Sequence, residues 1–60
     1  MEFLMALALT AKGLEFKRED WGHTYLVVDS LGYVRDSHGY ELYYEDMLAV
    51  DWIPYDEEEN

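Results

Sequence analysis

The chain has no cysteine. No disulfide can staple it, and no thiolate can hold zinc or act as a nucleophile. Proline occurs once, as Pro54. Positive charge is scarce: 4 Lys and Arg stand against 14 Asp and Glu, for a formal net charge of −10. A protein that grips a phosphate backbone does so with lysines and arginines that displace counterions. Direct, non-specific binding to DNA or RNA is therefore disfavoured. There is also no long hydrophobic run. Met1 to Leu9 is apolar apart from Glu2. It lacks the basic start of a secretory leader and is too short to span a bilayer. The expectation is a cytoplasmic protein, not bound to a membrane, that keeps its N-terminus.

What the chain does have is apolar and aromatic substance. Half of its 60 residues are hydrophobic and 17% are Phe, Trp or Tyr. That composition is too rich for a disordered chain. A domain this short buries only about 60% of the surface its unfolded chain exposes. Without staples, such domains often gain stability by self-association, so a homo-oligomer is expected. The acid has two possible uses. It can keep a small protein soluble, or it can imitate nucleic acid and occupy a basic site on a partner. Asp56 to Glu59 form an acidic run that reads as a solvated tail. The division is thus one domain over 1–55 and a tail over 56–60.

The pattern predicts an α+β fold. Residues 2–12 read as a helix with Phe3, Leu4, Leu7, Ala8 and Ala11 on its inner face, closed by Gly13. Met5 and Leu9 fall off that face and are candidates for a subunit contact. Leu14 to Arg18 alternate as a strand. Thr24 to Asp29 is the clearest strand, rich in β-branched and aromatic residues. Ser30-Leu31-Gly32 turns it into Tyr33–Asp36, and Ser37-His38-Gly39 turns again toward a short strand over Tyr40–Tyr43. Glu45 to Ala49 reads as a short helix with acids at its positive end. Asp51 to Tyr55 is a last strand, kept to an edge by Pro54. The outline is an N-terminal helix packed on a small antiparallel sheet, with a short second helix before the last strand. No internal repeat, linker or second domain is read.

The inventory for catalysis is thin. The aliphatic hydroxyls are Thr10, Thr24, Ser30 and Ser37, and both histidines, His23 and His38, fall in loops. His38 near Asp36 can be drawn as a base with an orienting carboxylate. No pair of histidines has the spacing of a metal site on one helical face. The four glycines are spread as turn residues rather than gathered into a phosphate-cradling loop. No cofactor is expected. The aromatics carry more. Trp21 follows Lys17-Arg18-Glu19-Asp20 and precedes a glycine, so it can either plug the core or stack on a planar ligand. Trp52 sits in a strand, where core burial competes with ligand contact. Tyr40, Tyr43 and Tyr44 form a second cluster of the kind found at interfaces.

The order of these pieces is distinctive. Phe3-x-x-Ala6-Leu7 is followed by Gly13, Arg18-x-x-Trp21, Tyr25-Leu26, Asp29-x-x-Gly32 and Asp46-Met47-Leu48-Ala49-x-Asp51-Trp52. This resembles the phage anti-defence proteins of the second Thoeris type, some of whose relatives carry an anti-CRISPR label. The resemblance runs from Phe3 to about Ile53. It implies an α+β fold of the outline above and no enzymatic activity. It further implies a homo-dimer or homo-tetramer that sequesters a cyclic signalling nucleotide, a cyclic ADP-ribose isomer or a cyclic dinucleotide, in pockets between subunits. Carried onto this chain, Trp21 would stack on a base, Arg18 would meet phosphate or ribose, and Asp46 would cap the short helix. The candidate ligand contacts are Arg18, Trp21, Tyr25, Tyr43 and Trp52. Longer members carry an insertion between the central strands and the late helix that is minimal here. The alternative is an acidic inhibitor that binds a host defence or nucleic-acid-processing protein, acting as a DNA mimic.

Overall fold

Phe3, Ala6, Leu7 and Thr10 share one helical face, and this face, not the expected one, turns inward. The computed structural model describes residues 1–56; residues 57–60, most of the expected tail, lie outside the described residues. Helix α1 spans Phe3–Thr10. Phe3 and Ala6 are buried, and Leu7 and Leu9 pack against the core. Leu4 and Met5 are 70% and 53% exposed, and Ala8 and Ala11 are exposed too. The buried face is turned from the expected one by about 100°, one residue's step on a helix. The reason is physical: an uninterrupted apolar run contains no polar position to fix the phase, so tertiary contact fixes it. The helix ends as a Schellman motif. Gly13 sits at φ 100°, its N–H donates to the Thr10 carbonyl at 3.0 Å, and that of Leu14 donates to Leu9 at 3.2 Å. A left-handed residue there favours glycine.

Four strands of three residues follow the expected order but pair in two separate ribbons. Strand β1 (Phe16–Arg18) pairs antiparallel with β4 (Trp52–Pro54), Phe16 opposite Pro54 and Arg18 opposite Trp52. Strand β2 (Leu26–Val28) pairs antiparallel with β3 (Val34–Asp36). Both ribbons feed one core, in which Phe16, Leu26 and Trp52 meet Phe3 and Ala6 of α1. The Cα radius of gyration is 10.5 Å, as expected of about 10 Å for a single packed unit of this length.

The two turns around β3 are built alike. Asp29 Oδ1 accepts the backbone N–H groups of Leu31 and Tyr33, each at 2.9 Å, and Gly32 takes φ 89°. Asp36 Oδ1 accepts those of His38 at 2.9 Å and Tyr40 at 3.0 Å, and Gly39 takes φ 90°. Asp-Ser-x-Gly-Tyr therefore occurs twice, over 29–33 and 36–40. It is a short repeat of one Asx-turn device, which the sequence reading passes over. The expected strand over Tyr40–Tyr43 is reduced to one bridge, Glu41 to Arg35.

Helix α2 spans Tyr44–Leu48. Asp46, in its first turn, accepts the Tyr43 N–H on Oδ2 at 3.1 Å, satisfying a backbone donor that a helix start leaves orphaned. Trp52 is 1% exposed, and its indole N–H donates to the Asp46 carbonyl at 3.0 Å. Its ring lies 5.6 Å from that of Phe3. The late helix and last strand are thus tied to each other and to α1 through one tryptophan.

Candidate functional site: an aromatic cleft behind an arginine clamp

Arg18 ends β1 opposite Trp52, so its side chain leaves the ribbon beside the α2–β4 segment. There it is held by two carboxylates. Nε donates to Asp51 Oδ1 at 2.8 Å and Nη2 to Oδ2 at 3.3 Å, a bidentate fork. Nη1 donates to Asp46 Oδ1 at 2.7 Å. With its other oxygen on the Tyr43 N–H, Asp46 has both oxygens engaged. The hydrogen bonds to Asp51 and then to Asp46 raise the arginine pKa, with burial opposing. The hydrogen bond from Arg18 is also what chiefly holds the Asp51 carboxyl below its ordinary range. One positive charge against two negative ones leaves the cluster with a net negative charge.

Next to this clamp lies an open cleft of about 400 Å³. Its aromatic walls are Trp21, Tyr40 and Tyr43, and its carboxylates are Asp36, Glu41 and Asp46. Trp21 is positioned from two sides: its backbone N–H donates to the Arg18 carbonyl at 3.0 Å, and its ring packs edge-on against Trp52 at 5.1 Å and 79°. It remains half-buried. Tyr40 and Tyr43 are 72% and 77% exposed, so their rings are open to a partner. The Asx turn at Asp36 sets Tyr40, and the start of α2 sets Tyr43.

The five residues expected to touch ligand divide accordingly. Trp21 and Tyr43 come together in the cleft. Arg18 stands behind it, bonded to the cleft residue Asp46, with its guanidinium committed to carboxylates rather than open to phosphate. Trp52 is core, with no ring face open to a ligand. Tyr25 lies elsewhere, against Tyr55 at 4.8 Å between ring centroids. Asp46 caps α2 as expected and also binds Arg18. The sequence reading misses Asp36, Glu41 and Leu42 in the lining; the repeated turn was the available signal for Asp36.

The drawn pairing of His38 with Asp36 takes another form. Asp36 meets His38 at its backbone N–H, and the imidazole Nε2 lies 3.2 Å from Thr24 Oγ1. Among the described residues no Lys, Arg or His lines the cleft. Lys17 Nζ donates to the Gly22 carbonyl at 3.2 Å, and Arg35 lies 3.8 Å from Asp29. No cluster of three or more His, Cys, Asp or Glu able to hold a metal occurs among the described residues. No helix among them is long and apolar enough to cross a membrane. In comparisons with family models, curated proteins and solved structures, the chain matches none.

Proposed function

We propose that the protein is a phage-type anti-defence protein that sequesters a cyclic signalling nucleotide of a bacterial immune system in the host cytoplasm, as a homo-oligomer and without turnover. One observation carries this reading. Arg18-x-x-Trp21 and Asp46 to Trp52, the segments that resemble the second-type Thoeris anti-defence proteins, are far apart in sequence yet form one constellation. Arg18 clamps Asp46 and Asp51, Trp21 abuts Trp52, and Trp21 walls the cleft.

The chemistry of the cleft suits the base end of a nucleotide. Trp21, Tyr40 and Tyr43 offer ring faces, and stacking a base on an aromatic ring contributes about 1–3 kcal/mol. Asp36 and Glu41 supply carboxylates that can accept from an exocyclic amine or a ribose hydroxyl. With the cations outside the cleft, the phosphates face the open mouth, toward solvent or a second subunit. A thermal-shift screen against cyclic ADP-ribose isomers and cyclic dinucleotides tests this, since a ligand of the native state raises the melting temperature. A hit recovered intact after heating supports it; a folded protein with no hit, or a hit recovered as product, contradicts it.

A second reading is favoured by the charge of the lining, which is entirely acidic, in a chain of net charge −10. On that reading the protein is an acidic inhibitor of a host defence or nucleic-acid-processing protein. It would occupy a basic surface in place of DNA, and its binding would weaken with salt. A pull-down at low salt that recovers no basic partner counts against it.

A further inference from the structure

The Asx-turn device around β3 is present twice, and an arginine fills one copy only. In the first copy, over 29–33, Asp29 closes the turn with Oδ1 and meets Arg35 with Oδ2, 3.8 Å from Nε. The same guanidinium sits 5.9 Å from the centroid of the Tyr33 ring, within reach of a cation–π contact. The aspartate and tyrosine of the turn thus hold an arginine two positions beyond the tyrosine. In the second copy, over 36–40, Asp36 again closes the turn with Oδ1, and Tyr40 is exposed. The residue two positions beyond Tyr40 is Leu42, which packs against the core. Among the described residues no guanidinium reaches the Asp36 carboxylate or the Tyr40 ring; Arg35 meets this copy only at the Gly39 carbonyl, at 3.5 Å. The cleft opens there instead, with Asp36, Tyr40 and Leu42 in its lining.

We propose that the cleft takes the guanidinium of an arginine side chain on a partner protein, in the place that Arg35 fills at the first turn. Asp36 Oδ1 is taken by its turn, whereas Oδ2 and the exposed Glu41 carboxylate have no partner among the described residues. Trp21 and Tyr43 add aromatic walls beside Tyr40. Rings and carboxylates together select a guanidinium. It is planar, so it stacks on a ring, and its N–H fork matches a carboxylate. A quaternary ammonium has no N–H to donate, and a lysine ammonium is a strongly hydrated point charge. A second copy of this chain is a poor source. Arg18 and Arg35 are its only arginines, and both are held by their own aspartates. Two chains of net charge −10 also repel each other. The assignment rests on the second reading above, the acidic inhibitor, and names the group by which its basic partner is held. A nucleobase seated in the cleft would exclude it.

A protein-detected NMR titration tests it. The probe is a capped pentapeptide of glycines around one arginine, with its lysine and citrulline counterparts alongside. The arginine peptide should give saturable shifts at Tyr40, Glu41 and the Trp21 indole. The lysine peptide should bind more weakly and the citrulline peptide not at all. Tyr40→Ala keeps the backbone N–H and carbonyl that bond to Asp36, so it should stay folded. It should weaken the arginine peptide about fivefold, the scale of one exposed cation–π contact. Glu41→Gln should weaken it as well. Free arginine, whose own carboxylate opposes the lining, should bind less tightly than the capped peptide. No shift at the cleft overturns the inference. So do equal affinities for the arginine and lysine peptides, wild-type affinity in a folded Tyr40→Ala, or tighter binding of free arginine. The two failures are distinct, because the titration needs no partner. A low-salt pull-down without a basic protein sinks the second reading; a silent cleft with a basic protein recovered sinks the arginine assignment alone.

Discussion

Arg18 at the end of β1 places Nη1 2.7 Å from Oδ1 of Asp46, in the first turn of α2 and 28 positions further along the chain. The contact joins the β1–β4 ribbon to the segment that borders the cleft, and Asp46 is simultaneously the cap of α2. The same carboxylate thus fixes a helix start, an arginine and one wall of the candidate site.

Removing the arginine therefore acts on the fold. Arg18→Ala strands the Asp46 carboxylate, whose side chain is 9% exposed, without its partner. The expected loss is about 3 kcal/mol, comparable with the roughly 3–5 kcal/mol that a core of this size supplies. Urea unfolding followed by tryptophan fluorescence should show a large unfolded fraction without denaturant. Arg18→Lys keeps the charge but cannot bridge two carboxylates as a planar fork, so its midpoint should fall between the two.

Acid should weaken the clamp in a defined window. The Arg18 hydrogen bond holds the Asp51 carboxyl below its ordinary range, partial burial opposing. A folded-state pKa below the unfolded one stabilises above the unfolded value and loses that contribution as pH falls through the folded value. The melting temperature should thus be steady from neutrality to about pH 5 and drop below about pH 4. Asp51→Asn should lower the melting temperature at neutral pH and flatten the drop.

The two tryptophans should separate fold from binding. Trp52→Ala empties the core and leaves the Asp46 carbonyl without its indole donor, an expected loss of about 3–5 kcal/mol that should prevent folding. Trp21→Ala removes a half-buried ring that packs on Trp52 by one edge. About 1–2 kcal/mol should be lost, leaving a folded chain by circular dichroism.

Thr10 provides a stabilising change. Its Oγ1 is buried without a hydrogen-bond partner among the described residues, and a buried hydroxyl left unpaired is destabilising. Thr10→Val keeps the shape and removes the polar atom, so the urea midpoint should rise by the equivalent of about 1 kcal/mol. An unchanged or lower midpoint would contradict this reading of Thr10.

Much of the fold was legible in the sequence because local chemistry decided it. Gly13, Gly32 and Gly39 mark turns that need positive φ, and the acids of 45–46 mark the start of α2. The phase of α1 was not legible, since the unbroken apolar run from Phe3 to Leu9 offers no periodicity to read. Arg18 was misplaced for a different reason. An arginine beside a loop tryptophan suggests a phosphate site, and only the tertiary pairing of β1 with β4 brings Asp46 and Asp51 to it. Trp21 and Tyr43 were singled out from residue type and share the cleft lining, whereas Asp36 and Glu41 enter the lining through the second Asx turn.

The most direct test of sequestration is a calorimetric titration of a panel of cyclic ADP-ribose isomers and cyclic dinucleotides into the wild-type protein and Trp21→Ala, with the nucleotide analysed afterwards. The expected result is saturable binding to the wild type, intact nucleotide after release, and at least tenfold weaker binding to a folded Trp21→Ala, the scale of one lost stacking contact. Absence of heat across the panel, turnover of the nucleotide, or equal affinity in a folded Trp21→Ala would contradict a Trp21-walled nucleotide site.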